Sequence, residues 1–170
     1  MYENNERVIT EALLRELRQE LALYRKLLAL AQRKREALVS NDLAALHVIN
    51  DEEQSHSRDG MRQRQLREDL LRRLAEGRGL SVGEVNLAQV QDWAGQTLRG
   101  QLQHLGEELR AVVQELQRCN DGNQLLLRTA LGLVREMLGT ITGSDERQGY
   151  DRSGHSGGHR GSGGLMNYRA

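Results

Sequence analysis

The stretch "LRGQLQHLGEELRAVVQELQRCNDGNQLLLRTALGLVREM", residues 98–137, decides how this chain folds. Leu98, Leu102, Leu105, Leu109, Val112, Leu116, Cys119, Asn123, Leu126, Ala130, Leu133 and Met137 follow one another in alternating steps of three and four. That spacing holds one row of side chains on a single helix face, over more than five heptads and roughly 60 Å of helix. Gly100, Gly106, Gly122 and Gly132 fall inside the stretch. Each disfavours helix by about 1 kcal/mol, so the expected helix is one held by packing.

The same spacing recurs upstream. Leu14, Leu17, Leu21, Tyr24, Leu28 and Ala31 form a row that Leu38 rejoins after Arg35, predicting a first helix over about 6–39 with Leu13 and Leu27 widening its stripe. "SND" at 40–42 carries helix-capping chemistry and predicts a turn. A second helix over about 43–76 follows, apolar at both ends but polar through "NDEEQSHSRDGMRQRQ", residues 50–65. Only Met61 offers an apolar group there, so this middle is the expected weak point of the hairpin. "EGRGL" breaks the pattern. Ser81 and Glu84 then stand at capping-box spacing, with Leu80 and Val85 placed as a hydrophobic staple.

From Gly143 glycine and serine dominate and no apolar face can be drawn, which predicts a disordered tail. The expected organisation is a helical domain over 1–142 and a flexible tail over 143–170. The fold class is all-α: an elongated antiparallel helical hairpin or three-helix coiled-coil bundle.

Composition agrees with this class. Charged residues make up 28% of the 170, aromatics only 3%, and there is no Pro or Phe and a single Trp. The formal net charge is zero, so no overall field favours nucleic acid or an anionic membrane. "RDGMRQRQLREDLLRR", residues 58–73, is rich in arginine but lacks aromatics for base stacking, and reads as a solvated helix face. The lone Cys119 fits a reducing compartment, and "MYENNERVIT" is too polar for a signal peptide. No run nears the roughly 20 apolar residues that span a bilayer. A cytoplasmic protein without direct membrane insertion is the expectation.

No catalytic site, cofactor site or metal site is expected. His155 and His159 sit in the Gly-rich tail without a third ligand, and Cys119 lies on the apolar row with no base at hand. The surplus lies elsewhere. With Leu126 at zero and 100° per residue, Ala130, Leu133 and Met137 stay close to the row. Ile141, Val134, Leu127, Leu138 and Leu131 carry the apolar surface round to an arc of roughly 160°, against about 120° for residues 98–119. Two readings are open: packing inside the bundle, or a face that waits for another protein. Asn123, polar on the row itself, either fixes register or marks a solvated gap.

Several of these stretches, in their order, resemble the FlgN family of flagellar type III export chaperones over about residues 8–154. The resemblance rests on the leucine-rich first helix, "REALVSNDLAALHVINDEEQ", "LLRRL", "GLSVGEVNLAQV" and above all "NDGNQLLLRTALGLVREML". Asn120, Asn123, Leu125, Leu126, Leu131 and Leu138 are the residues that align, and "YDRSG" at 150–154 is similar to a short tyrosine motif near the family's C-terminus. The polar stretch 50–65 and the long Gly- and His-containing tail depart from the family's pattern. The resemblance implies a non-enzymatic cytoplasmic chaperone for the hook-associated proteins FlgK and FlgL, which it would deliver to the export gate protein FlhA. It also implies a client surface made of Asn120, Asn123, Leu126, Leu127, Ala130, Leu131, Val134, Met137, Leu138 and Ile141, with Tyr150 docking to the gate. A monomer or weak homo-oligomer is expected. The alternatives are a self-associating structural coiled coil or adaptor, and a flagellar export chaperone with another client.

Overall fold

Helix formers without proline produce helices almost throughout. The computed structural model describes residues 2–142, and among them the elements are α1 (Tyr2–Val39), α2 (Leu43–Gly77), one 3₁₀ turn (Val82–Glu84), α3 (Leu87–Trp93) and α4 (Gln96–Thr142). The chain divides into two compact units, Met1–Leu131 and Gly132–Ala170. The division falls within α4. Of the second unit, residues 132–142 are described; the expected tail, with Tyr150, His155 and His159, lies outside the described residues.

Within the first unit, α1 and α2 form an antiparallel hairpin. Asn41 turns the chain with φ of 55°, and Asp42 caps α2 by accepting the Ala45 N–H at 2.9 Å. Along the hairpin Arg33 meets Glu52 at 2.9 Å, Lys34 meets Glu53 at 2.7 Å, and Arg67 reaches both carboxylate oxygens of Glu20 at 2.7 and 2.6 Å. These pairs bear on the stretch expected to be the hairpin's weak point. The polar middle of α2 is continuous helix, held by ions and by a close approach in place of an apolar stripe. Leu23 is buried against Gly60, where an added Cβ would stand 3.3 Å from Leu23 Cδ2.

α4 runs in the same sense as α1: Arg18 donates to Gln101 Oε1 and, seven residues on along both helices, Arg25 to Glu108. Consecutive long helices are therefore antiparallel, as the sequence predicts. The count differs, because the break before α4 holds a 3₁₀ turn and α3. Glu84 accepts from both Ser81 N–H and Oγ–H, while Glu84 N–H bonds the Ser81 carbonyl, so only half of the expected box forms. Leu80 is exposed and Val85 buried. The complete capping box is the next one, Asn86 with Gln89, which starts α3.

Two clusters make the core. Leu13, Leu14, Leu17, Leu21, Leu74, Ala75, Val85, Val90, Leu102 and Leu105 fill the larger, at the end where α3 crosses. Leu30, Ala37 and Ile49 form a smaller one near the α1–α2 turn. Gly106 admits α3, since a Cβ there would lie 3.1 Å from Leu87 Cδ2. Arg78 lies 4.4 Å over the Trp93 ring and pairs with Glu6, tying α1 to the α2–α3 connection.

Candidate functional site

α4 carries the candidate surface. Through residue 123 its apolar row is buried or half-buried: Leu102, Leu105 and Cys119 are buried, and Leu98, Leu109, Val112 and Leu116 half-buried. Leu126 is half-buried too. Beyond it the row surfaces. Ala130, Leu133 and Met137 are exposed although they continue the same register, and Leu127, Leu131, Val134, Leu138 and Ile141 are exposed beside them. Ile141 reaches 80% exposure. The distinction between an inward row and an outward surplus therefore does not hold past Leu126, where both lie open.

Of the candidate client-binding residues, the structure places Leu127, Ala130, Leu131, Val134, Met137, Leu138 and Ile141 in this exposed run, with Asn120 exposed one turn before it. Asn123 is set apart. It is 5% exposed, and its Nδ2 donates to the Ala31 carbonyl at 2.8 Å. A solvated gap is excluded, and the polar residue on the row ties α4 to α1. Its Oδ1 is buried with no protein donor. Leu125, 66% exposed, and Leu133 belong to the run but not to the expected set. Leu133 was legible as the next step of the heptad, and Leu125 as the first of three consecutive leucines. Val39 and Leu43 are also exposed, flanking the α1–α2 turn, a feature for which no periodicity gives a signal.

What this arrangement offers is a surface for binding. An exposed apolar helix face is the kind of surface that a partner covers, and α4 shows one at Leu125, Leu127 and Leu131 in the first unit and one at Leu133, Val134, Met137, Leu138 and Ile141 in the second. Thr129 and Thr140 back-bond to the carbonyls of Leu125 and Glu136, and Arg128, Arg135 and Glu136 are exposed alongside the apolar residues. Among the described residues no group of three or more His, Cys, Asp or Glu could hold a metal ion. Cys119 is buried. No described helix is long and apolar enough to cross a membrane.

Comparison with known proteins adds the family. The chain matches no curated protein and no solved structure. The family model described as FlgN protein matches residues 1–157, which takes in all four helices and the exposed run of α4. On that match, nearly the whole length of the chain, it belongs to the FlgN family.

Proposed function

We propose that the chain is a cytoplasmic chaperone that binds the hook-associated proteins FlgK and FlgL through the exposed face of α4, prevents their premature assembly, and delivers them to FlhA at the export gate. Family membership carries the coarser statement, that of a flagellar export chaperone. The observation that supports the finer one is the exposed run from Leu125 to Ile141. A client helix laid on that run removes apolar area from water, worth roughly 25 cal/mol per Å². It hides the client's own assembly surface at the same time. Gate docking through Tyr150 is the part of the proposal that falls in the tail.

The test is titration of purified FlgK and FlgL against Leu131→Asp and Val134→Asp. Both positions are exposed, so helical content should hold. In the complex each carboxylate would be buried unpaired, at a cost of several kcal/mol, and binding should fall at least a hundredfold. Leu102→Asp, at a fully buried position, is the control that damages the fold. Wild-type affinity in both surface variants would overturn the proposal. Tyr150→Ala should keep client affinity and weaken binding of the loaded complex to the FlhA cytoplasmic domain. Sedimentation separates the remaining alternative, since a self-associating scaffold would form a stable oligomer indifferent to FlgK and FlgL.

A further inference from the structure

Between the first half of α1, Arg78 after α2, and the α3–α4 junction lies a cleft of about 910 Å³, all of it within the first unit. Its recessed part is apolar: Leu14 is buried, and Trp93, Ala94 and Leu98 are half-buried. Thr10, whose hydroxyl donates to the Glu6 carbonyl at 2.8 Å, and the exposed Gly95, Gln96, Thr97 and Gln101 complete the neutral lining. The charged lining is unbalanced, with Arg7, Arg15, Arg18 and Arg78 against Glu6 and Glu11. Both carboxylates are taken. Glu6 pairs with Arg78, which also lies over the Trp93 ring, and Glu11 pairs with Arg7 at 3.0 Å. Arg18 donates to the neutral Gln101 Oε1 at 3.2 Å, and Arg15 has no carboxylate partner among the described residues. Three residues apart, Arg15 and Arg18 are neighbours on one helix face. The chain as a whole is neutral, so this excess of positive charge is local to the cleft.

We infer that this cleft binds an acidic peptide, with an aliphatic side chain in the recess and flanking carboxylates on Arg15 and Arg18. Guanidinium–carboxylate hydrogen bonds are charge-assisted and belong to the strong class. They also relieve the repulsion of two like charges one turn apart on α1. A nucleic acid fits less well. Arg78 already covers a face of Trp93, the one ring of the cleft on which a base would stack, and the rest of the recess is aliphatic. A small inorganic anion would satisfy the arginines but leave the recess unfilled. The cleft is independent of the exposed end of α4, so an acidic segment held here need not belong to the protein held there.

The probe is a capped hexapeptide, Glu-Glu-Leu-Leu-Glu-Glu, titrated into the full chain while the emission of Trp93, its one tryptophan, is followed. Saturable binding is expected, at least tenfold tighter than for Gln-Gln-Leu-Leu-Gln-Gln. It should weaken at least threefold when salt rises from about 0.05 to about 0.5 M. Arg15→Gln/Arg18→Gln should lose at least tenfold with wild-type helical content, because both positions are exposed. Arg110→Gln, exposed on α4 away from the cleft, should stay within twofold. Arg15→Glu/Arg18→Glu should come to prefer Lys-Lys-Leu-Leu-Lys-Lys. No saturable binding, equal affinity for the glutamine peptide, or wild-type affinity in Arg15→Gln/Arg18→Gln overturns the site. So does tighter binding of a thymidine oligonucleotide, which would make the cleft a nucleic-acid contact, or equal binding of inorganic phosphate, which would make it a small-anion site. Leu131→Asp should leave peptide affinity unchanged, which separates this test from that of the client face.

Discussion

Glu20 and Arg67 hold the middle of the hairpin, where hydrophobic burial is thin. Glu20 is 8% exposed and receives two hydrogen bonds from one guanidinium nitrogen. Removing only the arginine would strand a carboxylate, so Arg67→Met should destabilise by about 2 kcal/mol, less than a fully buried pair because solvent still reaches Arg67. The double variant Glu20→Met/Arg67→Met should recover most of that loss in denaturant unfolding. At Glu84 the backbone N–H and hydroxyl of Ser81 hold the carboxyl below the ordinary glutamate range. A depressed pKa favours the fold above the carboxyl's unfolded value, and that contribution is lost as pH falls through the folded one. The Ser81 amide resonance should therefore titrate with a midpoint below that of a free glutamate. A midpoint at the ordinary value would show that the bond does not persist in solution.

At the scale of elements, α1 and α4 were legible because each carries a mostly apolar row at heptad spacing, α2 because it is apolar at both ends, and Asp42 at the turn because its chemistry is local. α2's continuity was not legible. It depends on pairs such as Glu20 with Arg67 that are 47 residues apart in sequence. α3 was not legible either, since its seven residues are too short to show a period. The exposed run of α4 could be read as a surplus, but its full extent could not, because heptad register does not reveal where partner helices stop burying it. Glycine shows the same limit. Gly100 and Gly106 look alike in sequence, yet a Cβ at Gly100 meets open space and one at Gly106 meets Leu87. Gly100→Ala should stabilise by about 0.5–1 kcal/mol. Gly106→Ala should fall short of that in thermal denaturation, because Leu87 must give way; equal gains would mean that α3 packs loosely there.

For the whole molecule, both buried clusters belong to the first unit. The described apolar side chains of 133–141 are exposed. A chain ending at Leu131 should therefore unfold within a few degrees of full length and yet lose most of its client affinity. A large fall in melting temperature would show that the α4 end supports the core. Gly132 and Gly139 stand in that end with open space around both, so each weakens the helix by about 1 kcal/mol with no packing gained in return. On the proposed function, their consequence would reach the moment of handover. If this end is the client face as proposed, a helix weakened by two glycines costs more to order on binding, and affinity falls below what the contact area alone would give. Gly132→Ala and Gly139→Ala should each slow amide exchange in α4 and tighten client binding about threefold to fivefold. On the proposed function, the tightened protein should then surrender its cargo more slowly, and an unchanged release rate would show that these two glycines do not set the grip.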